Sequence, residues 1–218
     1  MKKSFIIVLF LSLGFVACKN EKKAESQDTV TAAEDVKKES INVEAGTYVA
    51  NLDSSVLNWK GSKPTGTHNG TVAIKDGSFT IADGTITGGT FNFDMGTITV
   101  LDIPADDDMN GKLTGHLKSG DFFDVENNPT ATFVITNVDQ SEGVAITGDL
   151  TVKGITKSIT FPAKVAATDA GVVMKGAPFM IDRTKFGIEY KSKSIFDDLK
   201  DKFIDDEFEV SFEVNASK

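Results

Sequence analysis

The chain has 218 residues, a formal net charge of −9 at pH 7 and a 40% share of apolar residues. This length is enough for one domain or two small ones. The negative charge argues against nucleic acid and anionic lipid headgroups as partners, because both are bound by basic patches.

The first residues predict export. Lys2 and Lys3 precede an almost wholly apolar run of about 12 residues, from 5 to 16. A helix that spans a bilayer needs ~20 such residues. A charged start followed by a short apolar run is instead typical of a secretory signal. We therefore interpret residues 1–17 as a signal peptide that is removed on export.

The apolar run ends in "FVAC", in which Cys18 is the only cysteine of the sequence. The four residues resemble a bacterial lipobox, although Phe15 stands where such boxes usually have leucine. The alternative is an ordinary signal cut nearby, which would leave a free thiol. Attachment is favoured because it explains a cysteine that has no disulfide partner. We expect a cell-envelope protein held by lipid alone, with the outer membrane favoured and the domain in the periplasm or at the cell surface.

Residues 18–45 are predicted to form a flexible linker. From 19 to 44 there is no aromatic residue, glycine or proline, and charges of both signs are dense. Such a composition cannot form a core. As a coil of about 25 residues, it would have an r.m.s. length of roughly 25–30 Å, which holds a small domain clear of a membrane.

Residues 46–216 are predicted to form one β-rich domain. Apolar and polar residues alternate along several segments, most clearly in the last one, at Phe208, Val210, Phe212 and Val214. Strands with one buried face have this period of two. We count eight or nine strands, and helical spacing only at 106–118 and 194–203. Many antiparallel strands indicate a sandwich or an up-and-down barrel, and the pattern alone does not separate the two.

Three segments then carry a resemblance to a known family. They are "GHLKSGDFFDVENNPTATFVIT" (115–136), "GDLTVKGITKSITFPAKV" (148–165) and "IDRTKFGI" (181–188). In this order, over 46–216, they resemble the YceI-like family, in its bacterial lipoprotein branch. The resemblance implies an all-β, lipocalin-like antiparallel barrel of eight strands with one or two short helices. It further implies a polyisoprenoid or other lipid-like ligand, and it implies no family-wide enzymatic activity. We expect no cofactor and no enzyme.

An eight-stranded barrel is wide enough to hold one small ligand. The candidate apolar wall consists of residues on alternating faces near the middle of their strands: Phe91, Phe93, Phe133, Ile135 and Phe161. The alternative is that these side chains fill a packed core. The protein would then be a structural or protein-interaction module.

The resemblance places residues 115–124 on a helix and loop at one mouth of the barrel. Phe122 and Phe123 would line or plug this mouth, and His68 is placed with them. His116 either donates a hydrogen bond to a ligand headgroup or pairs with a backbone carbonyl. Arg183 likewise forms an ion pair within the domain or meets a headgroup.

A catalytic interpretation of the same stretch is not favoured. His116 with Asp121 or Asp124 could form a base and its orienting acid, and Ser119 is the nearest nucleophile. No G-x-S-x-G turn presents that serine. A hydrolase using His116 or His68 therefore remains the weaker alternative, and we assign no catalytic residue.

A metal site is not expected either. The sequence "DDDMNG" (106–111) matches the first half of an EF-hand loop, but the twelfth position is Leu117 instead of the bidentate glutamate. Two histidines and one lipidated cysteine offer too few zinc ligands. We interpret the acidic turn as the cap of a helix.

Overall fold

The structure is a computed structural model that describes residues 42–218. The predicted signal peptide, Cys18 and most of the predicted linker lie outside these residues. The described part contains nine strands: β1 (Gly46–Ala50), β2 (Val56–Lys63), β3 (Gly66–Ala82), β4 (Thr85–Asp94), β5 (Thr130–Asp139), β6 (Val144–Val152), β7 (Ile155–Thr168), β8 (Gly171–Asp182) and β9 (Glu207–Ser217).

The strands form a closed antiparallel barrel. From β2 the sheet runs through β9, β8, β7, β6, β5 and β4, and pairing of β4 with β3 returns it to β2. β1 and β2 share one position, because each lies between β3 and β9 at a different height. The described residues therefore form the predicted eight-stranded barrel, and the sandwich is excluded.

The two-residue period of the sequence sets the inner face of the barrel. In β6, Ile146, Leu150 and Val152 are buried, and the threonines and aspartate between them are not. Successive side chains of a strand point to opposite faces, so each apolar set turns inward together. The inward sets of the strands make up one continuous apolar interior.

The two ends of the barrel differ. At the hairpin end, short turns join β3 to β4, β5 to β6, and β7 to β8. Gln140, which is 1% exposed, bridges two of these turns there: its amide donates to the Gly84 carbonyl and accepts from the Thr85 hydroxyl. At the helix end, residues 95–129 and 183–206 cross between strands, and the first of these segments contains helix α1 (Asp108–Lys118).

The helix predicted at 106–118 is confirmed as α1, whereas the one predicted at 194–203 is wrong. The latter stretch contains only a 3-10 turn, Lys200–Lys202, among the described residues. Ile195 and Phe196 stay 42% and 47% exposed, so the apolar face of such a helix would have nothing to pack against. A ten-residue helix without packing is marginal in water. No helix within 42–218 is long and apolar enough to cross a membrane.

We predict that Gly148→Ala will destabilise the barrel by ~1–3 kcal/mol, the usual cost of overpacking. A Cβ at Gly148 would overlap the ring of Phe133 and approach the carbonyl oxygen of Val134. Gly88→Ala is the matched control, because a Cβ there meets no atom within 4 Å. Urea denaturation of both variants provides the comparison, and equal midpoints would contradict tight packing of β5 against β6.

Candidate ligand-binding site

The barrel encloses a cavity of about 110 Å³ lined only by apolar side chains. Strands β2 to β9 all contribute to the lining, and Phe123 reaches it from the segment after α1. All five residues of the predicted apolar wall line this cavity: Phe91, Phe93, Phe133, Ile135 and Phe161. Their contact with a ligand stays a prediction. A cavity of this chemistry has no polar group to bind water, and comparable engineered cavities stay dry and admit apolar molecules.

Phe161 lies at the centre of an aromatic cluster on one side of the cavity. Its ring centroid is 4.6 Å from that of Phe179 in a stacked arrangement, and 5.4 Å from those of Phe133 and Phe212. Such pairs contribute ~0.5–1.5 kcal/mol beyond the area they bury. The ring of Phe161 is inclined at 17° to that of Phe179, at 45° to that of Phe133 and at 81° to that of Phe212, so this side of the cavity is aromatic but not flat.

Sequence reasoning missed two members of this cluster. Phe212 belongs to the clear alternation of β9 and could have been included. Phe179 could not, because a register shift between Gly176 and Phe179 displaces the inward face of β8. The shift depends on pairing with β9, which the sequence of β8 does not reveal.

The stretch 115–124 forms a lid at the helix end. The ring of His116 meets those of Phe122 and Tyr190 edge-on, with centroids 5.0 and 4.7 Å apart. Phe122 is buried in this contact, and Phe123 turns into the cavity. Tyr190, which sequence reasoning missed, joins the lid to the β8–β9 connection.

The polar contacts of His116 are local. Its Nε2 lies 3.1 Å from a carboxylate oxygen of Asp121. The hydroxyl of Ser119 donates to the backbone carbonyl of His116 at 2.8 Å, instead of to the imidazole. This serine is therefore not aligned with the ring as a nucleophile with its base.

His68, which was predicted at the mouth, is not among the residues that line the cavity. Its Nδ1 is 2.8 Å from Asp102, which also accepts a hydrogen bond from the backbone N–H of Asn69. Desolvation acts to raise the pKa of Asp102, but the hydrogen bonds from Asn69 and His68 outweigh it and lower that pKa. The pair ties the residues after β4 to the start of β3.

The family of the chain follows from comparison with known proteins. The model of the YceI-like domain matches residues 48–216. The chain belongs to the YceI-like family.

Relatives and solved structures agree with this assignment. A UPF0312 protein of Staphylococcus aureus is 32% identical over 52% of this chain and 69% of its own length. A UPF0312 protein of Pseudomonas aeruginosa is 51% identical over 51 residues, which are 23% of this chain and 27% of that protein. The chain thus matches only about a quarter of the Pseudomonas relative.

Two solved structures share the fold. BcnA of Burkholderia cenocepacia superposes with a TM-score of 0.60 at 19% identity, covering 78% of this chain and 99% of BcnA. A domain of Saccharophagus degradans, described as a polyisoprenoid binding domain implicated in plant cell wall breakdown, has a TM-score of 0.54 at 15% identity. It covers 80% of this chain and 99% of its own.

Arg183 of this YceI-like barrel is a buried cross-link, or staple, between the residues that follow β8 and the residues that precede β9. Its guanidinium donates to the carbonyls of Asp205, Ile188 and Ile204 at 2.7–3.0 Å. It also lies 3.6 Å from the carboxylate of Asp206, and it is 4% exposed. These contacts support the structural alternative for Arg183, because its donors already have partners within the fold.

Asp206 is the charged partner of this staple. Burial acts to raise its pKa, but hydrogen bonds from Ser192 and Ser194 and the charge of Arg183 together lower it. Because the folded-state pKa is depressed, Asp206 adds stability above its unfolded-state pKa. That stability is lost as pH falls through the folded-state value.

The acidic turn before α1 acts as a helix cap. The side chain of Asp107 accepts a hydrogen bond from the backbone N–H of Met109 at 2.8 Å. Such a cap satisfies one of the free N–H groups at a helix start. Across 42–218, no three or more His, Cys, Asp or Glu side chains are grouped to hold a metal ion.

We predict that Arg183→Met will lower the free energy of unfolding by ~3–5 kcal/mol, because it removes the cation beside the partly buried carboxylate of Asp206 and the donor to three backbone carbonyls. Lys185→Met, two positions on, removes an exposed lysine that is 3.7 Å from Asp182 and should cost less than ~1 kcal/mol. Guanidinium denaturation at neutral pH measures the loss of unfolding free energy in each variant. Similar losses in both variants would show that Arg183 is not the staple.

Proposed function

We propose that the protein binds a long apolar or amphipathic ligand, a polyisoprenoid or similar lipid, inside the barrel. The observation that carries this is the cavity inside the barrel with its wholly apolar lining. The polyisoprenoid binding domain of Saccharophagus degradans, which has the same fold, supports the choice of ligand class. A wall without donors or acceptors selects by length and width instead of by hydrogen bonding.

The energetics of such binding rest on the chain of the ligand. Each buried CH₂ contributes ~0.8 kcal/mol, so one isoprene unit adds roughly 3–4 kcal/mol before ordering costs. A single hydrogen bond to a headgroup nets only ~1 kcal/mol. Affinity is therefore set by how much of the chain enters, and the polar end decides its direction.

The size of the cavity limits how a long ligand can bind. Sites for drug-sized ligands typically measure ~300–1,000 Å³. The cavity of about 110 Å³ is smaller, so a long chain must displace part of the wall as it enters. Phe179 and Phe212 are the less buried rings around Phe161, and a change of their rotamers would make room without breaking the strand ladders.

The alternatives fit the geometry less well. A filled barrel, as in a purely structural or interaction module, does not agree with the empty apolar space. The YceI-like family is a binding-type barrel family and not a known enzyme family. A hydrolase using His116 would need its nucleophile on the imidazole, and Ser119 donates elsewhere.

We further propose that the barrel works at the bacterial cell envelope, attached through a lipid on Cys18. The support comes from the sequence, namely the charged start, the short apolar run and the lone cysteine at its end. The predicted linker would place the binding domain near the membrane that holds its ligands.

The ligand proposal predicts that Ile135→Trp will weaken binding of geranylgeraniol at least about tenfold, because the larger side chain occupies the cavity. The ligand-free protein should melt within a few degrees of wild type, since the added ring has empty space to enter. Val134→Trp is the matched control, because Val134 precedes Ile135 in β5, points outward and is 40% exposed. It should leave binding unchanged. Equal affinity in both variants, measured by fluorescence titration, would contradict binding inside the barrel.

The anchor proposal predicts that Cys18→Ser will abolish incorporation of a labelled fatty acid and move the protein out of the membrane fraction. Stable attachment needs more than one acyl chain, all of which would be lost with this thiol. The purified variant should still bind geranylgeraniol, because the strands that line the cavity begin only after Gly46 in the sequence. A wild-type protein that takes up no label would refute the anchor and leave the ligand proposal intact.

A further inference from the structure

We propose that the ligand enters the cavity sideways, between β7 and β8, and that its polar head stays at this seam. The seam is defined as residues 155–162 of β7 and 177–182 of β8. The inference rests on the proposed function, since it names the route and the orientation of the same ligand.

Backbone pairing stops along the seam. β7 and β8 pair only from Ala163 opposite Gly176 to Thr168 opposite Gly171. In contrast, β6 pairs with β7 down to Ile155. Within the described barrel, no ladder joins the remaining half of β7 to that of β8. Opening the wall here therefore breaks no strand-to-strand hydrogen bonds.

Two local features keep the seam from closing. β8 shifts register against β9 between Gly176 and Phe179, so Ala177 and Pro178 leave the ladder. Pro162, at the same height on β7, has no N–H to donate. Ala177, Pro178 and Pro162 are all exposed. The backbone at the top of the seam thus cannot complete the ladder that the other strands form.

Side chains fill the seam in place of backbone bonds. Phe161 of β7 and Phe179 of β8 stack across it at 4.6 Å, and Ile159 and Ile181 line the cavity beside them. Exposed side chains change rotamer in picoseconds to nanoseconds, whereas elements that move as a whole take microseconds or longer. Phe179 is only half-buried, which suits a ring that turns outward.

A groove on the outside of the barrel includes Pro162 and Ala177 at the top of the seam. It crosses β2, β9, β8 and β7 on the outside of the barrel and reaches Phe212, whose ring also lines the cavity. A Cβ at Gly176 would overlap this ring, so glycine is what lets Phe212 lie there. Phe212 thus belongs to the lining of both the cavity and the outer groove.

Both ends of the barrel are held more firmly. At the hairpin end, Gln140 is hydrogen-bonded between two turns. At the helix end, Asn110 of α1 donates to the carbonyls of Val100 and Ile103, and Lys118 donates to that of Gly96. Entry past α1 would break these bonds and separate His116 from Tyr190.

Lys157 supplies a cation at the seam. It lies opposite Leu150, so it shares the cavity-facing side of β7, yet it is exposed. In the part of the chain that the structure describes, Lys157 forms no ion pair. A long lysine stem can follow an apolar wall while its ammonium stays in water. The seam therefore offers a cation to the single anionic head of a chain, a phosphate or a carboxylate, although the net charge of −9 disfavours binding to an anionic lipid surface.

The first experiment locates the head of the bound chain. Full-length protein carrying Cys18→Ser receives one bimane-labelled cysteine, as Ala177→Cys at the seam, Gly115→Cys on α1 or Thr90→Cys on β4. β4 lies opposite β8 in the strand order, and a side chain at Gly115 meets no atom within 4 Å. The probe is a geranylgeranyl chain with a nitroxide on its head. We expect quenching at position 177 and little at 115 or 90.

The other outcomes separate the two proposals. Quenching at position 115 without quenching at 177 overturns the seam and places the head at the lid. Equal quenching at all three positions overturns it as well, because it indicates binding on the surface. Absence of any binding overturns the proposed function, and the seam with it.

The second experiment compares entry rates. Phe179→Ala removes a ring from both the seam and the cavity, whereas Phe133→Ala removes one from the cavity alone. We expect geranylgeraniol to associate about tenfold faster with the Phe179→Ala variant, because a gating step is lost, and Phe133→Ala to change mainly the affinity. Equal association rates in stopped flow would overturn entry through the seam.

The third experiment tests whether the polar head of the ligand lies beside Lys157. Lys157→Gln should weaken geranylgeranyl phosphate about two- to fivefold, the range of an exposed ion pair, and leave geranylgeraniol unaffected. Lys75→Gln, an exposed lysine on β3, removes the same charge away from the seam. Equal effects of both variants on the phosphate would overturn the position of the head.

Discussion

Hydrogen bonding between strands is the constraint on which the rest of the molecule depends. In a closed barrel every strand is paired on both sides, and closure is what removes the exposed edges of a sheet. Closure fixes which way each side chain points, and so turns the alternating sequence into an apolar interior with a polar exterior. Between β7 and β8 this pairing stops beyond Ala163 and Gly176, and no backbone ladder closes the wall there.

Glycines and phenylalanines act together to shape this interior. Gly148 leaves room for the ring of Phe133, and Gly176 leaves room for that of Phe212. A strand position without a side chain next to a large ring keeps the wall smooth and the rings close to the backbone. The space left between the rings is the cavity, and its smallness makes their mobility part of binding.

Much of this architecture could be predicted from the sequence. The period of two in β4, β5 and β7 correctly placed Phe91, Phe133 and Phe161 on the inner face, because that period follows from strand geometry itself. Helix α1 could also be predicted from the spacing of its residues, and its cap from the acidic residues before it. The resemblance to the YceI-like family supplied the closed barrel, which periodicity could not distinguish from a sandwich.

The parts that failed depend on contacts between distant residues. The stretch 194–203 has helical spacing, but nothing covers its apolar side, and the carbonyl of Ile204 is held by Arg183. The structural role of Arg183 was favoured from the sequence, but its partners could not be named, because two of its three carbonyl acceptors, Ile204 and Asp205, are more than 20 residues away. Phe179 was missed since its direction follows from the register shift of β8, and the seam itself appears only when the length of every ladder is known.

The position of β1 shows at which end of the barrel the chain enters it. β1 begins at Gly46, opposite Ile81, and therefore at the hairpin end, where Lys218 at the C-terminus also pairs with Glu44. Any attachment that precedes Gly46 holds the barrel by this end. The seam occupies the opposite half, beyond Ala163 and Gly176. The start of β1 and the seam therefore lie in opposite halves of the barrel, so the strand by which the chain enters the barrel leaves the seam uncovered.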